Sequence, residues 1–137
     1  MQNLFIGKGN LAKSPEGQHV QRKDGSGDFF VANMRVMFGR YGRNADGDVE
    51  QVGGFWREVE IYGQKAEDVV KHLRKGARVL VVGEEREFTA RDDDGNEVQV
   101  IKVVAEDVAL QLTRIESIKF VAPRQREENE PYEETAS

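Results

Sequence analysis

The chain has 137 residues, enough for one domain, and its 38% hydrophobic and 33% charged residues allow a compact core beneath a heavily charged surface. It contains no cysteine, which excludes disulfide and thiolate chemistry and favours a reducing compartment. No apolar run approaches the roughly 20 residues of a membrane helix, and no secretory signal is visible. We therefore expect a cytoplasmic protein with no membrane partner.

The formal net charge of −5 is concentrated at the C-terminus. Residues 124–137 contain two arginines and five glutamates, a balance of −3, which leaves −2 for residues 1–123. The body of the chain is therefore close to neutral, and local basic patches are compatible with that balance. Net charge does not exclude a nucleic-acid partner.

The first part of the chain predicts two strands joined by a polar loop. Asn3–Leu11 starts as an apolar strand and bends at its glycines. Ser14–Asp28 is rich in turn residues and basic side chains, so it is either a mobile connection or a loop that contacts phosphate. Phe29–Phe38 alternates between a core face and a mixed face that carries Arg35, as half-buried strands do.

A long hairpin loop is expected next, at Gly39–Gly54, because an Asp-Gly pair lies between two strand patterns. The loop carries Tyr41 between Arg40 and Arg43. A tyrosine flanked by arginines could stack on a base and hold its phosphates. The alternative is an ordinary surface tyrosine.

The strand Phe55–Tyr62 raises the main functional question. Val59 and Ile61 alternate with polar residues and are expected in the core, which puts Trp56 and Tyr62 on the outer face. A large apolar side chain left in water forgoes about 1.5–3 kcal/mol of burial. We therefore expect a ligand or another subunit to cover these two rings.

The second half predicts one helix and two further strands. Gln64–Lys75 has the apolar spacing of an amphipathic helix, and Gly76 supplies its stop. Ala77–Phe88 begins with an unbroken apolar run typical of a buried strand. Val98–Leu112 is a long last strand, with a break or bulge expected near Ala105–Asp107.

Three remaining segments have no place in this strand pattern. Arg91–Glu97 is acidic, but its glycine is too early for an EF-hand loop, so we predict a hairpin tip and no metal. Residues 114–122 form a C-terminal extension, either an added edge strand or a subunit contact. Residues 123–137 are expected to be an acidic, disordered tail.

Five strands with one helix between the third and the fourth describe an all-β, five-stranded Greek-key barrel, the OB-fold. Two histidines far apart, no cysteine and no ligands at metal spacing provide no catalytic group and no cofactor site, so an enzyme is not expected.

An ordered series of short motifs runs through residues 1–113. It comprises Gly9-Asn10-Leu11, Ser14-Pro15-Glu16, Val31-Ala32-Asn33, Trp56-Arg57, Tyr62-Gly63, Ala66-Glu67, His72-Leu73-Arg74-Lys75-Gly76, Val82-Gly83 and Asp94-Gly95. No single piece is specific, but in this order the chain resembles the bacterial single-stranded DNA-binding proteins.

The resemblance implies an OB-fold that binds single-stranded DNA without sequence preference, as a homotetramer or possibly a dimer, in replication, recombination or repair. Family aromatics that stack on bases fall at Trp56 and Tyr62. A third falls near Ala90, where Phe88 is the expected substitute, and a fourth falls at Tyr41 or its neighbour. Each stacked base is worth about 1–3 kcal/mol.

Basic side chains near these rings are candidate phosphate contacts, and such contacts make affinity fall with salt. The candidates are Lys8, Arg35, Arg40, Arg43, Arg57, Arg86 and Arg91. Arg57 shares the side of Phe55 on its strand, so a subunit contact is its alternative role.

The chain departs from the family at three places, which suggests a divergent member. Glu58 and Glu60 lie between the two rings, where the family more often has basic or apolar residues. The acidic tail ends Thr135-Ala136-Ser137 instead of in proline and phenylalanine, so recruitment of replication or repair proteins through that ending is not implied. The extension beyond residue 113 is the third departure.

The alternative function is an OB-fold assembly module whose aromatic face is covered by protein and which binds nucleic acid weakly.

Overall fold

A computed structural model describes residues 3–123. It contains six strands and one helix, which are β1 (Leu4–Leu11), β2 (Glu16–Gln21), β3 (Asp28–Arg43), β4 (Val49–Tyr62), α1 (Gln64–His72), β5 (Arg78–Arg91) and β6 (Glu97–Leu110).

Five of the strands pair into a closed ring. The sheet order is β1-β5-β6-β4-β3-β2, and a further pairing joins β1 to β3 at Asn10–Met37 and Leu11–Val36. All pairs are antiparallel except β4 with β6, which run parallel over three residue pairs. The predicted class, a five-stranded OB-fold with a single helix, is confirmed, with β2 added outside the ring on β3.

The β2 strand is the main departure from the predicted element order. Ser14–Asp28 was expected to be a loop, yet Glu16–Gln21 pairs with β3 along its whole length. The strand has almost no buried side chain, so it lacks the alternating apolar pattern by which strands are recognised. Because of β2, the helix follows the fourth strand of the chain rather than the third. The helix is also shorter than predicted, ending at His72 instead of Lys75.

The predicted loop at Gly39–Gly54 is mostly strand. β3 and β4 continue as a paired arm to Arg43 and Val49, with an irregularity after Arg40. The turn is short because the Asn44 side chain accepts hydrogen bonds from two backbone N–H groups, at 2.9 and 3.0 Å. Asx bonds of this kind replace a longer loop.

β6 contains the predicted bulge. Val82 pairs with Asp107 while Gly83 pairs with Ala105, which leaves Glu106 as the extra residue. Gly83 is required here, because a Cβ at this position would collide with the carbonyl oxygen of Val104. Residues 111–123 contain no strand in the described chain, and the role of the extension, as an edge strand or a subunit contact, remains a prediction. The acidic tail lies outside the described residues, apart from its first residue.

The core lies inside the ring, with α1 packed over it. Ala66 and Val69 are the buried residues of the helix. The fully buried side chains of the strands are Met34, Val36, Val59, Ile61, Val79, Val81 and Val103. Burial of each such side chain contributes about 1.5–3 kcal/mol. Neighbouring residues along a strand point to opposite sides, so the residues next to these buried side chains lie on the outside of the ring. The candidate site is on that outer surface.

Candidate nucleic-acid interface

Three rings lie on one outer face of the ring of strands. Trp56 and Tyr62 are each 44% exposed on β4, while Val59 and Ile61 between them are buried. Phe88 on β5 is 39% exposed. Glu58 pairs with Lys102 on β6, and Lys102 pairs with Arg86, two residues from Phe88. Because cross-strand partners share a face, we name the outer surface that carries Trp56, Tyr62 and Phe88 the aromatic face.

Glu58 is neutralised by Arg35 beside Trp56. The Arg35 guanidinium lies 3.3 Å from a Glu58 carboxylate oxygen, and its central carbon lies 5.0 Å from the centroid of the Trp56 ring. Arg35 and Glu58 are direct cross-strand neighbours. The arginine therefore supports the tryptophan by a cation–π contact and offsets the charge of the glutamate.

Glu60 is held by two groups of the same face. Its carboxylate accepts a hydrogen bond of 2.7 Å from the Tyr62 hydroxyl and one of 3.0 Å from Lys102 Nζ. Partial burial, followed by the bond and the charge of Glu60, raises the pKa of Tyr62 to about 12. The Tyr62 hydroxyl therefore keeps its proton to a higher pH than an ordinary tyrosine.

Lys102 is a member of this face that the sequence patterns did not reveal. Its Nζ lies 5.3 Å from the centroid of the Phe88 ring, as well as on Glu60. The strand pattern of β6 alternates Val98, Val100 and Lys102 on one side, so the alternation contained the signal. The sequence does not show which strands pair with β6, however, and so it does not show which residues lie beside Lys102.

Phe29 and Arg22 also extend the aromatic face beyond the predicted set. The Phe29 and Tyr62 rings have centroids 5.6 Å apart, and the Arg22 guanidinium lies 5.2 Å from the Phe29 centroid. Ser14–Asp28 was predicted as a basic loop able to contact phosphate, and Arg22 is the residue of that segment brought to the aromatic face. Its place depends on the unpredicted strand β2.

The β3–β4 arm places Tyr41 on the side of the aromatic face. Tyr41 is 48% exposed, and its hydroxyl lies 3.0 Å from where a Cβ on Gly39 would be. Arg43 shares the side of Tyr41 by strand alternation, and its guanidinium donates to the Gly47 carbonyl at 2.8 Å. Arg40 alternates with Tyr41 and so lies on the other side of the arm.

The remaining predicted cations are dispersed. Lys8 is exposed and shares the outer side of β1 with Ile6. Arg86 lies on the aromatic face, 3.4 Å from a Glu84 carboxylate oxygen. Arg91 is the last residue of β5, at the β5–β6 hairpin, where it donates to the Gly95 carbonyl at 2.9 Å.

Arg57 points to the opposite side of β4 from Trp56. Its guanidinium lies 4.5 Å from the Phe55 centroid and 3.9 Å from a Glu85 carboxylate oxygen. Its Nε is buried and has no hydrogen-bond partner among the described residues. This position gives no support to Arg57 as a phosphate contact of the aromatic face, and it agrees with the alternative subunit role.

Within residues 3–123, no three histidine, aspartate or glutamate side chains are grouped so that they could hold a metal ion. Across the same residues, no helix has the length and apolar character that spanning a membrane requires.

Comparison with known proteins gives relatives of one kind. A 116-residue alignment with single-stranded DNA-binding protein 1 of Clostridium acetobutylicum is 27% identical and covers 85% of this chain and 99% of the relative. Single-stranded DNA-binding protein 1 of Lactococcus lactis is 28% identical, with 77% of this chain and 65% of the relative covered.

A solved structure and a family model complete the comparison. The crystal structure of a small single-stranded DNA-binding protein from Streptomyces coelicolor superposes with a TM-score of 0.65 at 16% identity, covering 82% of this chain and 97% of the other, which supports the fold. The model of the single-strand binding protein family matches residues 1–111. The chain belongs to the single-strand binding protein family.

Proposed function

We propose that this chain binds single-stranded DNA without sequence preference and without catalysis. Bases stack on the rings of the aromatic face, and basic side chains of that face and of the β3–β4 arm attract phosphates. The membership in the single-strand binding protein family and the names of the relatives support this proposal. A role in replication, recombination or repair and a cytoplasmic location are part of the same proposal.

The observation that carries the proposal is the exposure of Trp56, Tyr62 and Phe88 on one face. Rings of this size are left in water only at a cost, unless a ligand covers them. Each of the three has a charged group of the protein at its edge or face, namely Arg35, Glu60 and Lys102. Such contacts hold the rings in fixed orientations before a base arrives, which lowers the cost of ordering them on binding.

Trp56 is the only tryptophan, so the fluorescence of the protein reports on the proposed site. We expect strong quenching on addition of an oligothymidine and weak quenching by a duplex of equal length. Raised salt should weaken the response, because phosphate contacts release counterions. A tryptophan that does not respond to the single strand would contradict the proposal.

The alternative, an assembly module whose aromatic face is covered by protein, rested on Glu58 and Glu60. Both carboxylates are offset by cations of the same face, Arg35 and Lys102, so the local charge no longer favours it. The Trp56→Ala variant distinguishes the two proposed functions. Loss of DNA binding with the assembly state intact supports the proposed function, whereas loss of assembly supports the alternative.

Self-association is a further part of the proposal, as a homotetramer or a dimer. Apolar side chains of the β1 strand support it, since Leu4 and Ile6 are 60% and 62% exposed. Sedimentation of the full chain measures the state directly. A monomer at all concentrations tested would contradict this part while leaving the DNA-binding proposal in place.

A further inference from the structure

A second charged region lies at the corner between α1 and β5, away from the predicted site residues. A cavity of about 360 Å³ opens there, between the end of the helix, the start of β5 and the residues after β6. Arg74, Lys75, Arg78 and Arg114 line it, and no acidic residue of the described chain is among its lining residues. None of these four cations forms an ion pair within residues 3–123.

The walls of this cavity are held by hydrogen bonds. The Leu11 N–H donates to the Ala77 carbonyl at 2.9 Å, and the Gly76 N–H returns a bond of 2.9 Å to the Leu11 carbonyl. The Gln111 N–H donates to the Arg78 carbonyl at 2.8 Å, which ties the chain after β6 to β5. The backbone that carries the cations is therefore placed without any ligand.

Arg114 brings a charge from outside the family-matched part of the chain. The family model matches residues 1–111 only. Arg114 is the one non-glycine residue with a positive φ, 57°, among residues 3–123. This conformation is uncommon for residues other than glycine, asparagine and aspartate. The unusual turn places Arg114 on the cavity that Arg74 and Lys75 also line, so like charges gather there and repel one another unless an anion is bound.

One row of cross-strand neighbours connects the cavity to the aromatic face. Trp56 pairs with Met37, Met37 pairs with Asn10, and Asn10 pairs with Arg78. The Arg78 guanidinium donates to the Asn10 side-chain oxygen at 2.8 Å, so these two side chains lie on the same side of the sheet. Three strand spacings of about 4.8 Å separate Trp56 from Arg78, roughly 14 Å in all.

We propose that the cavity lined by Arg74, Lys75, Arg78 and Arg114 binds the phosphodiester backbone of the same single strand whose bases stack on the aromatic face. Guanidinium groups bind phosphate oxygens in pairs of parallel hydrogen bonds. A strand that leaves Trp56 along the row reaches the cavity without crossing the body of the ring. The proposal rests on the proposed function and adds a binding site for the phosphates of the DNA single strand.

The test replaces Arg78→Gln and Arg114→Asn together in the full chain. Asparagine tolerates a positive φ, so the second change removes the charge and keeps the turn. The matched control removes two exposed cations that do not line the cavity, Lys71→Gln and Lys119→Gln. Binding is followed with oligothymidines of about 4 and about 16 nucleotides, the limits of the site sizes of OB-folds.

The cavity variant should change binding of the short strand less than binding of the long strand, because a strand that stacks on the aromatic face has few phosphates left to reach the cavity when it is short. For the long strand, the slope of log affinity against log salt should become shallower by about 1.4, since each phosphate contact on a single strand contributes about 0.7. The control should keep the slope of the unaltered chain. An unchanged slope in the cavity variant, or an equal change in the control, would overturn the proposal.

The test separates this proposal from the function on which it rests. If the unaltered chain shows no Trp56 quenching with either strand, the proposed function itself is wrong. The glutamates of residues 124–137 are the alternative anionic ligand of the cavity. If the cavity variant and a Glu→Gln variant of that segment both bind the long strand more tightly, the cavity holds the tail and the DNA assignment is overturned.

Discussion

The aromatic face and the basic cavity use charge in opposite ways. On the aromatic face, Arg35 and Lys102 are each within 3.3 Å of a carboxylate, while the four cations of the cavity have no acidic partner in the described chain. Paired cations contribute little to phosphate attraction, since the neighbouring carboxylate cancels their field. Stacking is therefore assigned to the aromatic face and most of the phosphate attraction to the cavity, with a smaller share for the basic side chains of the face and of the β3–β4 arm. The predictions below change one region at a time.

The largest expected effect is at Trp56. Replacement Trp56→Ala removes a stacking platform and should weaken binding of an oligothymidine by about 1–3 kcal/mol, the value of one stacked base. Fluorescence anisotropy of a labelled strand measures the loss. The salt slope should stay near that of the unaltered chain, because no phosphate contact is removed. Trp56→Phe is the matched control and should retain most of the affinity; equal losses in both variants would argue against stacking.

Removing a carboxylate from the aromatic face should leave a cation there without an acidic partner, as in the cavity. In Glu58→Gln, Arg35 loses its ion pair and becomes available to phosphate, so binding at low salt should tighten and the salt slope should steepen by about 0.7. Glu87→Gln makes the same charge change on the other side of β5 and should leave the slope unaltered. A Glu58→Gln variant that binds more weakly would show that this carboxylate contributes directly to DNA binding.

The smallest expected effect concerns Tyr62, whose pKa near 12 depends in part on Glu60. Glu60→Gln should lower that pKa, because it removes the negative charge beside the phenolate. The raised pKa also means that the protonated hydroxyl stabilises the fold fully below pH 10, and that this contribution is lost as pH rises from 10 towards about 12.

Ultraviolet titration of the tyrosines measures this shift, with Tyr62→Phe identifying the signal of Tyr62. The same titration of Glu60→Gln should show one tyrosine titrating at lower pH than in the unaltered chain. If the two titration curves coincide, the hydrogen bond between Tyr62 and Glu60 does not control the ring's protonation.

The sequence was sufficient for the features that depend on local alternation. Val59 and Ile61 fixed the inner side of β4, so the outward positions of Trp56 and Tyr62 followed correctly. The existence of the helix, the bulge of β6 and the succession of the five ring strands along the chain were also predictable from short patterns. These patterns reflect which side chains are buried, and the sequence of a single segment is sufficient to show them.

Features that depend on pairing between distant segments were not predictable. Glu58 seemed unfavourable beside the rings until the register placed Arg35 opposite it. The cavity joins Asn10, Arg78 and Arg114, which no spacing in the sequence connects. β2 was missed for a similar reason, because its stability comes from the edge of β3 and its own side chains are exposed.

The central claim is that bases stack on Trp56 while much of the charge is bound elsewhere. The most direct measurement follows Trp56 fluorescence and the anisotropy of a labelled oligothymidine in the same titration, at several salt concentrations. We predict that the two signals saturate together and that the quenching at saturation is the same at every salt concentration, although affinity falls. Binding seen by anisotropy with no change in Trp56 fluorescence would contradict the claim.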